Sequence, residues 1–447
     1  MLKEPIKPEI QLLIEQKNWR TLKDALSVWP APDIADLLEG LEDKDSIILF
    51  LLLHREMKGD VFGDLEPEKQ ENLLQQLNNE QVREVILELP PDDRTELFEE
   101  LPGSITRKLL NLLPVEERKE ALRLLGYPED SVGRLMTPDC VTLRPHWTIK
   151  EALKHIRESG RDAETINMLY VVDENARLLD DIRLRRLILA DPSQKVESIM
   201  DRKFVAISAH EDQESAVKII ERYDLYAIPV VTSENVLLGI ITVDDILDVL
   251  EEEVTEDAHM SGAVIPLDMS YNASRPFILF RKRIVWLSLL AISGFLTSRI
   301  MAMYEDTLAT IIGLAFFIPL LIGTGGNTSS QAATLIIRAL ATGELTIKKW
   351  FTVLRKELFV GMLLGLVLGF ILYLGGKFLV VGSEIGLVVG ISVFLIVIWA
   401  NLIGSLLPIL LFRLNLDPAI ISNPLLSTLL DITGLVIYFS IASFILF

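Results

Sequence analysis

The sequence predicts a multidomain chain made of an all-α superhelical N-terminal domain, a tandem α/β module, an acidic connecting helix and an all-α membrane domain of five transmembrane helices. Three observations predict this order. Leu-Pro steps recur in the first part, a duplicated segment follows, and five long apolar segments fill the last part. The predicted boundaries are 1–130, 131–250, 245–274 (connecting helix and linker) and 275–447.

The N-terminal part contains short segments whose apolar residues recur at helical spacing. Examples are ADLLEGL (35–41), ENLLQQL (71–77) and TELFEEL (95–101). Pro90, Pro102 and Pro114 follow leucines at intervals of twelve residues. Because proline has a fixed φ and lacks an N–H, it suits the start of a helix. We therefore expect each proline to begin a new short helix in a small superhelical stack.

The middle of the chain is an internal duplication. LMTPDCVTL (135–143) aligns with IMDRKFVAI (199–207) at an offset of 64, and YVVDEN (170–175) aligns with PVVTSE (229–234) at an offset of 59. Each copy has the pattern of a strand, a helix, a β-branched strand, a turn, another strand and a helix, which is typical of an α/β module. The acidic segment DILDVLEEEVTEDAH (245–259) follows the second copy as a predicted connecting helix.

The C-terminal part contains apolar segments of about 20 or more residues, long enough to span a bilayer. They are 284–304, 309–340, 357–381, 385–412 and 424–447. We expect the second segment to be interrupted at Pro319 and at the GTGGN sequence. Basic clusters at 281–283 and 348–357 favour a cytoplasmic position for those ends, so five spans place the C-terminus outside.

The net charge differs sharply between the two halves of the chain. Residues from 281 onward include eleven basic and seven acidic side chains, which give this part a net charge of +4. The total net charge is −20, so residues 1–280 carry −24. This balance disfavours nucleic acid and anionic lipid as partners and would attract multivalent cations. A solubilising surface is the alternative explanation for most of these carboxylates.

Cysteine content and the N-terminal residues indicate where the soluble half resides. Cys140 is the only cysteine, which excludes an intramolecular disulfide and a thiolate metal cluster. The first residues lack the apolar core of a secretory signal, so we expect the soluble half to be cytoplasmic. The sequence contains no dinucleotide, Walker A, zincin or nucleophile-elbow motif, and we expect no enzyme activity.

Asp431 is the only charged residue among the last 30 residues, and it lies inside an apolar segment. A carboxylate at the centre of a membrane helix costs about 2.5–3.5 kcal/mol, so it normally faces water or a partner. Asn423 and Ser427 precede it at four-residue intervals, which gives a polar stripe about 12 Å long on one helix face. Such oxygen ligands suit hydrated Mg²⁺. Proton relay, or pairing with a basic side chain, is the alternative.

The GTGGN sequence is the second candidate element of an ion path. Gly325, Gly326 and Asn327 lie at predicted membrane depth, where irregular backbone is tolerated only if it lines a cavity or is buried in protein. Freed carbonyl groups and the Asn327 side chain would then face the path. Close helix packing through small residues is the competing interpretation.

The duplicated module resembles a tandem cystathionine-β-synthase (CBS) pair, a regulatory unit that often binds adenine nucleotides. The second copy carries the matching GIITVDD sequence (239–245). The resemblance implies that Thr242, with Asp244 or Asp245, reaches the ribose or phosphate of a nucleotide such as ATP. The first copy departs from this pattern, with Asp180, Asp181 and Arg183 at the positions of Gly239, Ile240 and Thr242.

The whole chain resembles the MgtE magnesium channels. The motifs that carry the resemblance are FFIPLLIGTGGNTSSQAATLIIRAL (316–340), ANLIGSLLP (400–408) and DPAIISNPLLSTLLDITGLVIYF (417–439). It implies a homodimer with its pore on the two-fold axis. The five spans predict a multi-pass protein, and the absence of a targeting segment favours the bacterial inner (plasma) membrane. Asp431 would then be the main ion site, with Asn423 near the cytoplasmic end.

The resemblance also implies a cytosolic Mg²⁺ sensor that closes the pore when it binds the ion. Its acidic residues, matched by position, are Asp92, Asp93, Asp224, Asp245, Asp248, Glu253, Glu256, Asp257 and Asp417. The charge supports this independently, because close carboxylates repel one another by roughly 1 kcal/mol or more and Mg²⁺ would remove that repulsion. Ser329 and Ser330 depart from the glycine and asparagine usual in the family, so we expect weaker or water-mediated pore contacts there.

The sequence predicts Mg²⁺ transport into the cytoplasm, and two other functions remain open. The first is transport of another divalent ion such as Mn²⁺, Co²⁺ or Ni²⁺, because oxygen ligands discriminate poorly among these ions by affinity. The second is a membrane-anchored nucleotide sensor that transports nothing. In a sensor, GTGGN and Asp431 would have no role.

Overall fold

The computed structural model describes residues 3–161, 163–267, 271, 274–381, 383–414, 416 and 423–446. Its contacts divide the chain into two compact units, Met1–Glu252 and Glu253–Phe447. The first unit holds the helical stack and the duplicated module, and the second holds the long apolar helices.

The N-terminal part is a stack of short helices. They are α1 (Lys3–Glu15), α2 (Trp19–Leu26), α3 (Ala31–Glu39), α4 (Asp43–Leu52), α5 (Arg55–Gly63), α6 (Pro67–Gln76), α7 (Asn79–Glu88), α8 (Pro91–Glu100), α9 (Gly103–Leu112), α10 (Val115–Leu124) and α11 (Val132–Leu135). Pro90, Pro102 and Pro114 are the N-cap residues of α8, α9 and α10, as their spacing predicts. Buried leucines and Phe50 and Phe62 form one continuous core along the stack.

The duplicated module contains two three-stranded sheets. Its elements are β1 (Cys140–Leu143), α12 (Ile149–Ser159), β2 (Thr165–Val172), β3 (Leu178–Arg183), α13 (Leu184–Ile188), a 3-10 turn (Val196–Ser198), β4 (Ile207–Ser208), α14 (Gln213–Tyr223), β5 (Ala227–Val231), β6 (Leu237–Thr242) and α15 (Val243–Ser261). In both sheets the first strand pairs parallel to the second, and the second pairs antiparallel to the third. The predicted α/β repeat is therefore confirmed.

The membrane part consists of long apolar helices. Its elements are α16 (Pro276–Met303), α17 (Glu305–Thr310), a 3-10 turn (Ile312–Phe317), α18 (Ile318–Ala341), a 3-10 turn (Ile347–Lys349), α19 (Trp350–Gly375), a π-helical turn (Gly376–Val381), α20 (Ser383–Arg413) and α21 (Asn423–Leu446). Among the described residues, five helical segments are long and apolar enough to cross a membrane. The chain is a multi-pass membrane protein with five candidate transmembrane helices.

The predicted interruption at GTGGN is wrong, because α18 runs without a break through Gly325 and Gly326. The break comes earlier, at the 3-10 turn before Ile318. Pro319 lies in the first turn of α18, where its missing N–H leaves no helical hydrogen bond unmade. The Tyr438 hydroxyl donates to the Leu314 carbonyl oxygen at 2.9 Å and so fastens α21 to that turn.

Candidate ion path and acidic cluster

Helices α18 and α21 meet at the small residues that the sequence singles out. A Cβ atom added to Gly326 would lie 2.9 Å from Ser427 Oγ, and one added to Gly325 would lie 3.9 Å from Leu430 Cβ. The backbone of α18 therefore touches α21 one turn before Asp431. The structure brings the glycine pair and the Ser427 stripe together, and the glycines allow this close contact.

Asp431 is half-buried in α21, one turn beyond Ser427. Its Oδ1 atom is buried and has no hydrogen-bond partner among the described residues. Pairing with Arg299 or Arg338 is not seen in the part of the chain that the structure describes. A buried carboxylate oxygen without a partner is costly. A cation, a proton or a water molecule could satisfy such an oxygen.

The remaining predicted path residues differ in their surroundings. Asn327 is exposed on α18. Carbonyl oxygens near it accept hydrogen bonds from hydroxyl groups of the same helix, for example Thr324 O from Thr328 Oγ1 at 2.8 Å. The expected freed carbonyls are therefore absent from this described helix. Asn423 is the first residue of α21, and its side chain and Asp417 lie outside the described residues.

Ser329 is a packing residue rather than a lining residue of the path. It is fully buried, and its hydroxyl donates to the Gly326 carbonyl oxygen at 2.9 Å. A Cβ atom added to Gly404 of α20 would lie 2.3 Å from the Ser329 carbonyl oxygen. The backbone of α20 covers Ser329, so the weaker or water-mediated pore contact expected there stays a prediction that this packing does not support. Ser330 beside it is half-buried.

An acidic cluster forms in the first unit, where α8 and α15 both begin with paired aspartates. Asp92 and Asp93 lie in the first turn of α8, and Asp244 and Asp245 lie in the first turn of α15. The positive end of each helix dipole favours these charges. Asp92 is only 7% exposed, and its Oδ1 accepts the Asp93 N–H at 3.2 Å.

The carboxylates of this cluster act on one another electrostatically. Burial and the charges of Asp245 and Asp64 raise the pKa of Asp93 to about 6. Burial raises the pKa of Asp245 to about 6, although hydrogen bonds from Thr242 oppose this rise. The pKa of Asp92 is also raised, first by burial and then by Asp245. These shifts show that burial and mutual repulsion disfavour the charged forms of these carboxylates.

The sequence does not predict two members of the cluster, Glu164 and Asp64. Burial, Asp245 and Asp244 raise the pKa of Glu164, which precedes β2, to about 7. Burial, Asp60 and Asp248 raise the pKa of Asp64 at the end of α5. Neither carboxylate belongs to a recognisable motif, and only the packing of the helical stack on the module brings them to the cluster.

The cluster suits a hydrated cation better than a directly coordinated one. The described residues contain no group of three acidic, histidine or cysteine side chains placed to hold a single metal ion. Carboxylates that repel one another without converging on one point can be bridged by an ion that keeps its inner waters. Mg²⁺ usually binds in that way.

The other predicted sensor residues are less closely associated. Asp248 belongs to the cluster, because burial and Asp244 raise its pKa. Asp224 is exposed at the C-cap of α14 in a left-handed conformation, with φ of 51°. Glu256 and Asp257 are exposed and Glu253 is half-buried on the last turns of α15, which belong to the second compact unit.

The predicted nucleotide residues are hydrogen-bonded to one another. The Thr242 N–H and hydroxyl donate to Asp245 Oδ2 at 3.0 and 2.8 Å, and the hydroxyl also contacts Asp244. In the first copy, the fully buried Asp180 accepts the N–H groups of Asp201 and Arg202 at 2.8 and 3.1 Å. Asp180 therefore fastens the linker between the copies, which explains an acid at the position of Gly239.

The comparisons with known families cover most of the chain. Residues 318–441 match the MgtE model, described as a divalent cation transporter, and residues 29–130 match the MgtE intracellular N domain. Residues 132–192 and 196–252 each match the CBS domain. The domain order is the one that the sequence motifs predict.

Individual relatives agree with these matches. The magnesium transporter MgtE of Thermus thermophilus is 41% identical over 449 residues, which covers 100% of this chain and 99% of that protein. The magnesium transporter MgtE of Bacillus subtilis is 37% identical over 72% of this chain and 70% of its own length. The solved cytosolic domain of the Mg²⁺ channel MgtE in complex with ATP is 34% identical, with a TM-score of 0.52 over 54% of this chain and 99% of that chain. The chain belongs to the MgtE family of divalent cation transporters.

Proposed function

We propose that this protein conducts Mg²⁺ into the cytoplasm, down its electrochemical gradient, and that Asp431 is the main contact of the ion in the membrane. The buried Asp431 oxygen, which has no hydrogen-bond partner in the described part of the chain, is the observation that carries the proposal. It lies one turn from the contact between Ser427 and Gly326. Relatives named magnesium transporters support Mg²⁺ as the transported ion.

The ion would pass as a hydrated species along polar groups of α18 and α21. Mg²⁺ gives up its inner waters reluctantly, so carboxylate, amide and hydroxyl groups contact it through those waters. Asp431 supplies the charge, Ser427 and Asn327 supply neutral oxygens, and Asn423 stands at the cytoplasmic start of α21. Gly325 and Gly326 contribute by holding the two helices close together.

Internal Mg²⁺ would close the path through the acidic cluster. Asp92, Asp93, Asp245 and Asp248 repel one another in the packed first unit, and a divalent ion removes this repulsion. An ion that binds the compact arrangement better shifts the population toward it. We assign Asp224, Glu253, Glu256, Asp257 and Asp417 to the same sensor, so that high cytosolic Mg²⁺ closes the path.

We further propose a homodimer with the C-terminus on the outer side of the plasma membrane. Large apolar side chains remain exposed on α15 of the protomer, among them Leu247, Leu250 and Val254. A second copy would cover such a face. The basic ends of α16 and α19 favour the cytoplasmic side, and five spans then place the C-terminus outside.

Two further ligands follow from the relatives. The ATP complex of the related cytosolic domain supports an adenine nucleotide as a ligand of the CBS pair, near Thr242, Asp244 and Asp245. The family description as divalent cation transporters supports Mn²⁺, Co²⁺ or Ni²⁺ as alternative transported ions. An uptake assay with each ion in turn separates these alternatives from Mg²⁺.

The variant Asp431→Asn tests the path. We expect Mg²⁺ uptake into proteoliposomes to fall at least about tenfold, because the change removes roughly 1.4 kcal/mol or more of attraction for the ion. Glu344→Gln, which neutralises an exposed acid in the loop after α18, is the matched control and should leave uptake unchanged. Uptake by Asp431→Asn equal to that of the control would remove Asp431 as the ion site.

A further inference from the structure

The chain turns sharply where α15 ends, at its connection to the membrane part. The Ala263 N–H donates to Met260 O at 3.0 Å and the Val264 N–H to His259 O at 2.9 Å. Ala263 is buried and left-handed, with φ of 57°. These two hydrogen bonds form a Schellman turn, which ends the helix and redirects the chain.

Lys282 of α16 contacts the segment after this turn through two hydrogen bonds. The Ile265 N–H donates to the Lys282 carbonyl oxygen at 3.1 Å. The Lys282 ammonium donates in return to the Pro266 carbonyl oxygen at 2.6 Å. Lys282 therefore hydrogen-bonds two consecutive linker residues, Ile265 through its backbone and Pro266 through its side chain.

Lys282 differs from the basic residues beside it. Arg281 and Arg283 are exposed, whereas Lys282 is half-buried. An exposed basic cluster at a helix end needs only the positive-inside preference to explain it. A half-buried ammonium with a short hydrogen bond to a carbonyl group does more, because hydrogen bonds to charged groups are about twice as strong as neutral ones.

We propose that Lys282 is a positioning residue that couples the connecting helix α15 to the first membrane helix α16. The proposal rests on the proposed closure by internal Mg²⁺. While Lys282 keeps both hydrogen bonds to the linker, a displacement of the end of α15 must also move α16 at Lys282. Without the ammonium, the linker absorbs part of the displacement, and cation binding in the cytosolic half transmits less free energy to the path.

The test compares Lys282→Met, which keeps an apolar stem and removes the ammonium, with Arg281→Gln as a matched loss of an exposed charge. In Mg²⁺ uptake assays with the full chain, Lys282→Met should need about tenfold more internal Mg²⁺ for half-closure. A tenfold change corresponds to the free energy of about one hydrogen bond to a charged group. Maximal uptake at low internal Mg²⁺ should stay within about twofold of the unmodified protein. Lys282→Arg, which retains a donor, should restore most of the sensitivity.

Amide hydrogen exchange of the full chain gives a second readout that does not depend on gating. The Ile265 amide should exchange faster in Lys282→Met than in Arg281→Gln. Equal half-closing Mg²⁺ and equal exchange in these two variants would overturn the proposal. If the unmodified protein fails to close with Mg²⁺, the gating proposal fails by itself. The exchange rates still decide whether the Lys282 ammonium holds the linker against α16.

Discussion

Gly404 illustrates how one residue sets the distance between two membrane helices. Its Cα faces the Ser329 backbone so closely that an added Cβ would lie 2.3 Å from the Ser329 carbonyl oxygen and 2.9 Å from its Cα. Both obstructing atoms belong to the main chain and cannot rotate away. The contact places α20 behind the GTGGN sequence and so supports the helix that carries Asn327.

Gly404→Ala should destabilise the membrane part. We expect a loss of about 1–3 kcal/mol in unfolding free energy, because relief of the clash must move α18 or α20. Gly294→Ala is the matched control, since an added Cβ on Gly294 in α16 has no described atom within 4 Å. Thermal unfolding in detergent measures both. Equal stability of the two variants would show that the helices are not held this close.

At the scale of elements, the sequence predicts the helices and strands well and the contacts between them poorly. The prolines at 90, 102 and 114 each predict where a helix begins, and the sequence repeat predicts two copies of one module. GTGGN misleads, because glycine weakens an isolated helix but permits close packing between neighbouring helices. Glu164 carries no local signal at all, since its role depends on residues far away in the chain.

The acidic cluster should make the stability of the first unit depend on pH. Asp93, Glu164 and Asp245 have folded-state pKa values of about 6, 7 and 6, above those of the unfolded chain. Folding therefore takes up protons, and the cluster destabilises the unit as pH rises from about 4 to about 7. Without divalent ions, the cytosolic half should melt higher near pH 5.5 than near pH 8, and Mg²⁺ should recover the loss.

Glu164→Gln isolates this effect. Near pH 8 without Mg²⁺ it should stabilise the first unit by about 1 kcal/mol after solvent screening is allowed for, and it should weaken the Mg²⁺ response. Glu234→Gln, an exposed acid in the second copy, is the control. If the two variants respond alike to pH and Mg²⁺, Glu164 is not part of the cluster.

At the scale of the whole molecule, the charge imbalance connects the two functions that we propose. The half that is expected to sense Mg²⁺ carries a net charge of −24, whereas the membrane half has one acidic residue among its last 30. A strongly acidic half concentrates divalent ions near it. The same ion can then be both the transported species and the signal that stops transport.

Mg²⁺ uptake measured against internal Mg²⁺ tests this account most directly. The unmodified protein should conduct at low internal Mg²⁺ and close as that concentration rises. The combined change of Glu253, Glu256 and Asp257 to their amides should conduct equally at low Mg²⁺ and stay open at concentrations that close the unmodified protein. Uptake that does not depend on internal Mg²⁺ in the unmodified protein, or no uptake at all, would contradict the account.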